Sequence, residues 1–232
     1  MARKTTSARK VTASAPRQTR DSRERVVNAA ERLFAEQGYH AVSLRTIMSA
    51  ACVSVSAAHY HFGSKKILLQ AVLERRAPQI NQARKERLLA CVDKDGNISS
   101  LEDLLEAFIT PSLEICADPG GQLFVRMSAL IAADPSPEVQ DVLQAAYDES
   151  AMLFVKLLKR ACPNLKTEDF YWRLICIYGT LLYIRINNER VPRILRTKHL
   201  TLNAVTVKEA LHHLIPILAA VLSLPPIRTR ER

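Results

Sequence analysis

Apolar residues recur three or four positions apart from residue 26 onward, and this spacing is typical of one face of an α-helix. In the first such segment the apolar positions are Val26, Ala30, Leu33 and Phe34. Gly38 follows them, and a glycine commonly stands just past the end of a helix. The pattern therefore predicts a first helix that begins after residue 20 and ends before Gly38.

Two short helices separated by a tight turn are predicted next. Ser43 can cap the first of them and Ser54 the second, because a serine hydroxyl at an N-cap accepts a hydrogen bond from a backbone amide. Only residues 51–53 separate the two patterns. Three helices in this order form a helix-turn-helix, whose last helix enters the major groove of DNA. We therefore expect residues 43–62 to carry a DNA-binding surface.

The rest of the chain predicts further helices and no convincing strand. Gly63 interrupts the pattern, Ser64 can cap the next helix, and Pro78 should kink or end that helix. Later helical segments are expected at about 100–116, 122–133, 136–161, 167–188 and 205–222. The fold class is thus all-α, with about nine helices. We expect a disordered basic arm at 1–20, a helix-turn-helix DNA-binding domain at 21–66, a ligand-binding and dimerisation domain at 67–224, and a tail at 225–232.

The composition favours a folded, soluble and cytoplasmic protein. Hydrophobic residues make up 48% of the 232 positions, and only six glycines occur. The N-terminus lacks the apolar segment of a signal peptide. The longest apolar stretch, 211–224, is too short to span a bilayer, so no membrane partner is expected. The cysteines contain no CxxC pair, which favours reduced thiols over a disulfide frame or a zinc site: Cys52, Cys91, Cys116, Cys162 and Cys176.

The net charge of +10 is concentrated at the N-terminus. Residues 1–20 hold six basic and no acidic side chains, which leaves only +4 on the remaining 212 residues. A cationic arm of this kind binds a polyanion by releasing condensed counterions. A solvated tail that only aids solubility has the same composition, so both interpretations stay open.

The chain shows no catalytic or metal-binding pattern. It has no glycine-rich phosphate loop and no nucleophile with a base at a recognisable spacing, so an enzyme is not expected. His59 and His61 are two positions apart, and on a helix such side chains point to nearly opposite sides. We therefore expect neither a metal nor a cofactor.

Residues 43–69, SLRTIMSAACVSVSAAHYHFGSKKILL, carry the most specific pattern. They resemble the TetR family of bacterial transcriptional regulators, in which a Ser- or Thr-initiated helix is followed by a Val-Ser turn and a Tyr-His-Phe-x-x-Lys ending. The first helix is also similar, through its Ala-Ala-x-x-Leu-Phe-x-x-x-Gly run from Ala29 to Gly38. Cys52 departs from the family, which usually has glycine there, and this suggests an unstrained or slightly altered turn.

The resemblance implies roles for residues around the predicted helix-turn-helix. Tyr60, His61 and Lys65 would contact DNA phosphates, although the two rings could instead fill the core of the motif. Val55 could touch a thymine methyl group, and Ser56 and His59 could contact base edges. The full set of predicted DNA-binding residues is Ser43, Arg45, Thr46, Ser54, Val55, Ser56, His59, Tyr60, His61 and Lys65.

The C-terminal half predicts a ligand pocket and a dimer interface. Arg126 and Arg185 lie in apolar stretches, where a charge needs a partner; we expect one of them to bind a ligand carboxylate or phosphate, unless it pairs within the chain or faces solvent. The other pocket candidates, which could equally be plain core, are Phe108, Leu123, Met127, Leu130, Phe154, Trp172, Cys176, Tyr178 and Tyr183. The interface candidates, whose alternative is burial within one subunit, are Gly179, Leu182, Ile186, Leu211, Leu214, Ile215, Leu218 and Leu222.

These features together predict a homodimeric, sequence-specific DNA-binding regulator. Its partners would be a palindromic or pseudo-palindromic double-stranded operator and a small hydrophobic or amphipathic effector that releases it from DNA. A weaker similarity, to a subgroup that responds to fatty acids or acyl-CoA thioesters, suggests an effector of that kind. The alternative is a ligand-independent or architectural DNA-binding protein that uses the basic arm.

Overall fold

The structure, a computed structural model, describes residues 15–54, 62–186, 190–198 and 204–225. Ten α-helices lie within these ranges, and no multi-residue strand does. In chain order they are α1 (Ala15–Gln37), α2 (Leu44–Ala50), α3 (Lys65–Leu73), α4 (Ala77–Ala90), α5 (Leu101–Glu114), α6 (Gly121–Ala132), α7 (Pro137–Ala161), α8 (Thr167–Ile186), α9 (Arg190–Leu195) and α10 (Ala204–Ser223). The all-α prediction is confirmed.

Helix α1 extends further toward the N-terminus than the sequence pattern predicted. It begins at Ala15, so the expectation of disorder up to residue 20 is wrong for its last six residues. Pro16 lies in the first turn, where its fixed φ and missing amide are tolerated. At the other end the helix stops where Gly38 adopts a φ of +80°, as the sequence predicted. Residues 1–14 lie outside the described ranges.

The predicted break near Pro78 is an interruption between two helices. Helix α3 ends at Leu73, residues 74–76 form a turn, and α4 begins at Ala77. Proline at 78 falls in the first turn of α4, which explains why the chain restarts there instead of continuing α3. Residues 74–76 therefore separate the N-terminal helices from the helices of the rest of the molecule.

The remaining helices pack into one body around a core of buried apolar residues. Helix α5 lies at its centre and packs against α4, α7 and α10, while α6 packs against α1 and α8. Ser100 caps α5 by accepting a hydrogen bond from the Asp103 amide at 3.0 Å, as its position predicted. Gly121 at the start of α6 is obligatory, because a Cβ there would lie 1.6 Å from the Ile115 carbonyl oxygen.

Two C-terminal helices differ from expectation. The short helix α9 was not predicted; it holds Pro192 and has no buried residue to produce an apolar stripe. Helix α10 is long and apolar enough, by length and composition, to cross a membrane. A single such helix is weak evidence for a membrane span. In the described structure 28% of this stretch is buried, and Leu218 and Leu222 lie on the face that packs against α5.

Candidate DNA-binding and ligand-binding sites

The start of α2 is built by a serine cap. The Ser43 hydroxyl accepts a hydrogen bond from the Thr46 amide at 3.0 Å, and its oxygen lies 2.7 Å from the Thr46 hydroxyl. Both predicted DNA-binding hydroxyls are thus already used to order the helix terminus. Arg45, the next predicted DNA-binding residue, is exposed beside them.

The turn after α2 has the hydrogen bonds of a Schellman motif. The Val53 amide donates to the Met48 carbonyl and the Cys52 amide to the Ser49 carbonyl, both at 3.1 Å. This motif places its penultimate residue in the left-handed region, and Cys52 has a φ of +53°. The expectation of an unstrained turn is therefore wrong, since a non-glycine residue pays a steric cost in this conformation.

The Lys65 ammonium contacts other residues of this protein. It donates to the carbonyls of Tyr39 at 3.0 Å and Val42 at 3.1 Å, and lies 4.1 Å from the centre of the Tyr39 ring. Burial lowers its pKa, an effect that nearby Glu138 and Asp134 oppose. These contacts tie α3 to the loop between α1 and α2. The phosphate contact of Lys65 stays a prediction.

The predicted base-reading surface is outside the described residues. This applies to the predicted third helix and, with it, to Val55, Ser56, His59, Tyr60 and His61. On the near side of that segment Ser54 is exposed, and on the far side Phe62 is buried with the Arg23 guanidinium 5.5 Å from its ring centre.

Ion pairs join the N-terminal helices to the body at both ends of α3. Lys66, at its start, lies 2.9 Å from the Asp141 carboxylate on α7. Arg75, just after its end, lies 2.7 Å from the Glu31 carboxylate on α1. Glu31 is only 5% exposed, and burial raises its pKa although Arg75 opposes the shift. The N-terminal helices thus contact the body through these pairs as well as through the packing of α1 against α6.

Most predicted pocket residues lie either in the solid core or on the outer surface. Phe108 and Phe154 stack with ring centres 4.0 Å apart and are buried, as is Met127. Trp172 is 63% exposed on α8 and lies outside the core. Among the other candidates, Cys176, Tyr178 and Tyr183 are also exposed, and Leu130 is half-buried. Large aromatic residues at helical spacing do not distinguish core, surface and pocket.

Four clefts among the described residues, of about 450–710 Å³, are large enough for a small molecule, and two of them bear on the predicted pocket. The larger of these two, of about 710 Å³, runs along α4 and α7 beside Pro78, but none of the predicted pocket residues lines it. The smaller, of about 450 Å³, lies between α6 and α8 and is lined by Leu123, Arg126 and Arg185. Ligand pockets in proteins usually measure roughly 300–1,000 Å³. The structure therefore brings the two predicted arginines to one cleft.

A second buried arginine, which the sequence analysis missed, lies near Arg185. Arg84 on α4 is 6% exposed, and burial together with the positive charge of Arg185 lowers its pKa to about 10. Burial also lowers the pKa of Arg185. A signal for Arg84 was present in the sequence, because it lies between Ile80 and Leu88 at intervals of four residues, and both are buried.

The predicted dimer-interface residues fall into two groups by their burial within one subunit. Ile215, Leu218 and Leu222 are buried inside one subunit, because this face of α10 packs against α5. The remaining candidates are half-buried or exposed: Leu182, Ile186, Leu211, Leu214 and Gly179. The apolar residues that α10 does expose include Val205 and Ile217.

These helices and their packing define an all-α protein, in which α1, α2 and the turn after α2 precede a larger helical body. Family models agree with both parts: "Bacterial regulatory proteins, tetR family" matches residues 26–72, and "Tetracyclin repressor-like, C-terminal domain" matches residues 106–220. The chain belongs to the TetR family, a family of helix-turn-helix transcriptional regulators.

Individual relatives are distant. The HTH-type transcriptional regulator LmrA of Bacillus subtilis (strain 168) is 28% identical over 152 residues, which cover 64% of this chain and 78% of LmrA. CymR of Pseudomonas putida is 25% identical over 158 residues, which cover 66% of this chain and 73% of CymR. A tetR-family regulatory protein from Rhodococcus RHA1 superposes with a TM-score of 0.58 at 16% identity, covering 88% of this chain and 98% of that chain.

Proposed function

We propose that this protein is a homodimeric repressor that a small effector releases from its operator. The observation that carries the proposal is the pairing of residues at the two ends of α3 with α7 and α1, at 2.9 Å and 2.7 Å. Because of these pairs, a ligand that shifts α7 or α4 changes the orientation of the DNA-binding helices. In a dimer such a change alters the distance between two recognition helices, which must match successive major grooves.

Dimerisation is supported by apolar side chains that α8 and α10 leave in contact with solvent. Trp172 and Ile175 lie on α8 with exposed fractions of 63% and 47%, and Ile217 on α10 is 59% exposed. Exposed apolar groups on adjacent helices are typical of protein–protein contacts. Pairing of these two helices with their symmetry mates would form a four-helix interface.

A charge substitution tests this interface. Trp172→Glu should convert a dimer to a monomer in sedimentation equilibrium and weaken operator binding, because each monomer then holds only one half-site. Met152→Glu is the matched control, since Met152 is 64% exposed but lies on α7. A Trp172→Glu protein that stays dimeric and binds DNA normally would place the interface elsewhere.

The effector itself is assigned only by class. The clefts beside Pro78 and beside Arg126 have volumes, about 710 and 450 Å³, suited to a small amphipathic molecule. One structural neighbour, at 17% identity, is described as the fatty acid degradation regulator FadR of Bacillus halodurans. For the present chain a fatty-acid-like or acyl-CoA-like effector stays a prediction.

Selection of genomic fragments by the full-length protein, followed by salt-titrated binding, tests the proposal. A repressor of this kind should prefer its operator over random DNA by at least ~10³-fold. Equal affinity for random DNA would instead support an architectural DNA-binding protein. In a reporter strain, deletion of the gene should raise transcription from the selected site, and a fall in transcription would indicate an activator.

A further inference from the structure

We infer that the body of this protein holds an organic anion between Arg185 and Arg84, with the Tyr147 hydroxyl as a further hydrogen-bond donor. The inference deepens the proposed function, on which it rests, by giving the chemical class of the effector and the groups that bind it. The ligand would carry a carboxylate or phosphate at one end and an apolar body at the other.

The two arginines come from different helices. Among the described residues, each guanidinium has one recorded hydrogen-bond acceptor. Arg84 on α4 donates from Nε to the Phe108 carbonyl at 2.9 Å, and its guanidinium carbon lies 4.1 Å from the Phe108 ring centre. Arg185 on α8 donates to the Ser128 hydroxyl. A guanidinium has five N–H donors, so one acceptor for each leaves most of them unused.

The chain does not supply a negative charge to compensate these cations within its described part. The charged or polar groups that shift the pKa of Arg84 are Arg185, Tyr147 and Tyr178, and those that shift the pKa of Arg185 are Tyr147 and Cys116. None of them is a carboxylate. A buried charge without a counterion is costly and is normally paired. The missing partner is therefore expected to come from outside the chain.

Polar atoms in the same region are shielded from solvent and lack a hydrogen-bond partner among the described residues. They are Nε of Arg185 and the hydroxyl of Tyr147 on α7. Unsatisfied buried polar atoms are rare in folded proteins, and each needs an explanation. A bound anion would accept from the arginine and from the Tyr147 hydroxyl together.

The cleft between α6 and α8 reaches this region at Arg185. Arg185 and the exposed Arg126 both line it, together with the apolar side chains of Leu123 and Val125. Asp118 also lines the cleft, but its carboxylate is already paired with Arg76 at 3.2 Å. The lining is thus net positive and partly apolar, which suits an organic anion better than a cation or a sugar.

Thermal unfolding of the full-length protein with matched ligands tests the inference. Benzoate, phenyl phosphate and benzyl alcohol each carry a phenyl ring, and octanoate and octanol each have a straight eight-carbon chain. We expect at least one of these anions to raise Tm, while the alcohol with the same apolar group does not. A comparison of the Tm shifts caused by benzoate and by phenyl phosphate distinguishes a carboxylate ligand from a phosphate ligand. If neither benzoate, phenyl phosphate nor octanoate raises Tm above a sodium chloride control of equal ionic strength, the inference is wrong.

Variants locate the site. Arg185→Met and Arg84→Met should weaken anion binding roughly 10- to 100-fold, the factor that corresponds to a charge-assisted hydrogen bond, and Tyr147→Phe should weaken it less. Arg87→Met is the matched control, because Arg87 is an exposed arginine on α4 paired with Glu114 at 2.8 Å. An anion effect that survives unchanged in Arg185→Met would overturn the assignment.

Measurements without ligand provide an independent check. Arg185→Met should leave Tm unchanged or raise it, because it removes a charge that lacks a partner. Glu189, four positions further along and outside the described residues, is tested directly: a large loss of Tm in both Arg185→Met and Glu189→Gln would show an internal pair and overturn the inference. Operator binding by each variant separates this result from the proposed function, which fails only if specific DNA binding itself is absent.

Discussion

Replacement of Cys52 by glycine should stabilise the protein, because this residue closes the turn after α2 with a φ of +53°. A non-glycine residue in the left-handed region costs roughly 1–2 kcal/mol. Glycine offsets part of that gain, about 0.5–1 kcal/mol, because its unfolded chain has more conformational freedom. The Cys52 side chain is exposed, so its loss removes little packing. The expected net stabilisation is ~0.5–1 kcal/mol, or roughly 1–4 °C in Tm for a chain of this length.

Thermal unfolding followed by far-UV circular dichroism in reducing buffer measures this shift. Cys52→Ala is the matched control, since it removes the thiol but keeps a Cβ in the left-handed conformation. It should therefore unfold at nearly the wild-type temperature, while Cys52→Val should unfold below it. Equal stabilisation by alanine and glycine would refute the argument from backbone strain and indicate an effect of the thiol.

Three further sets of substitutions test the described structure. Lys65→Met should lower Tm, because two carbonyls lose their cation, and should leave the salt slope of DNA binding unchanged; Arg45→Met should reduce that slope by about one. Burial raises the pKa of Glu31, so stability from this group is present below its unfolded pKa of 4.5 and is lost as pH rises through the folded value. The Tm of Glu31→Gln should therefore increase relative to the Tm of the wild type as pH rises above 4.5. Gly121→Ala should cost roughly 2–3 kcal/mol because its Cβ meets a carbonyl oxygen, whereas Gly179→Ala, with no atom within 4 Å, should not destabilise the monomer.

Each set has an outcome that contradicts it. A lower salt slope of DNA binding in Lys65→Met would show that Lys65 contacts a phosphate, as the sequence suggested. A pH-independent difference between Glu31→Gln and the wild type would show that Arg75 compensates burial completely. A Gly121→Ala protein with unchanged Tm would mean that the 3₁₀ turn at Ile115–Ala117 moves freely.

Local features of this chain were predictable because neighbouring residues determine them. The caps at Ser43 and Ser100 and the stop at Gly38 follow from side chains and backbone within three or four residues. Helix periodicity located the long helices for the same reason. Cys52 is the exception, since the Schellman hydrogen bonds hold it in a conformation that its residue type disfavours.

Roles that depend on distant contacts were not predictable. Lys65 binds carbonyls 23 and 26 positions away, so its sequence context could not show that it turns inward. The spacing of Ile80 and Leu88 places Arg84 on the buried face of α4, but the groups that surround it depend on the packing of α4 against α5 and α7. The apolar face of α10 was correctly recognised as buried, but a periodic pattern does not tell whether the same subunit or its partner covers that face.

The pair between Glu31 and Arg75 has a consequence for how the molecule unfolds. A fragment that ends before residue 75 would leave the Glu31 carboxylate, 5% exposed in the intact chain, without its ion-pair partner. It would also uncover the side of α1 that packs against α6. The N-terminal helices therefore share a single cooperative unit with the body, and limited proteolysis of the native protein should not release them as a folded piece.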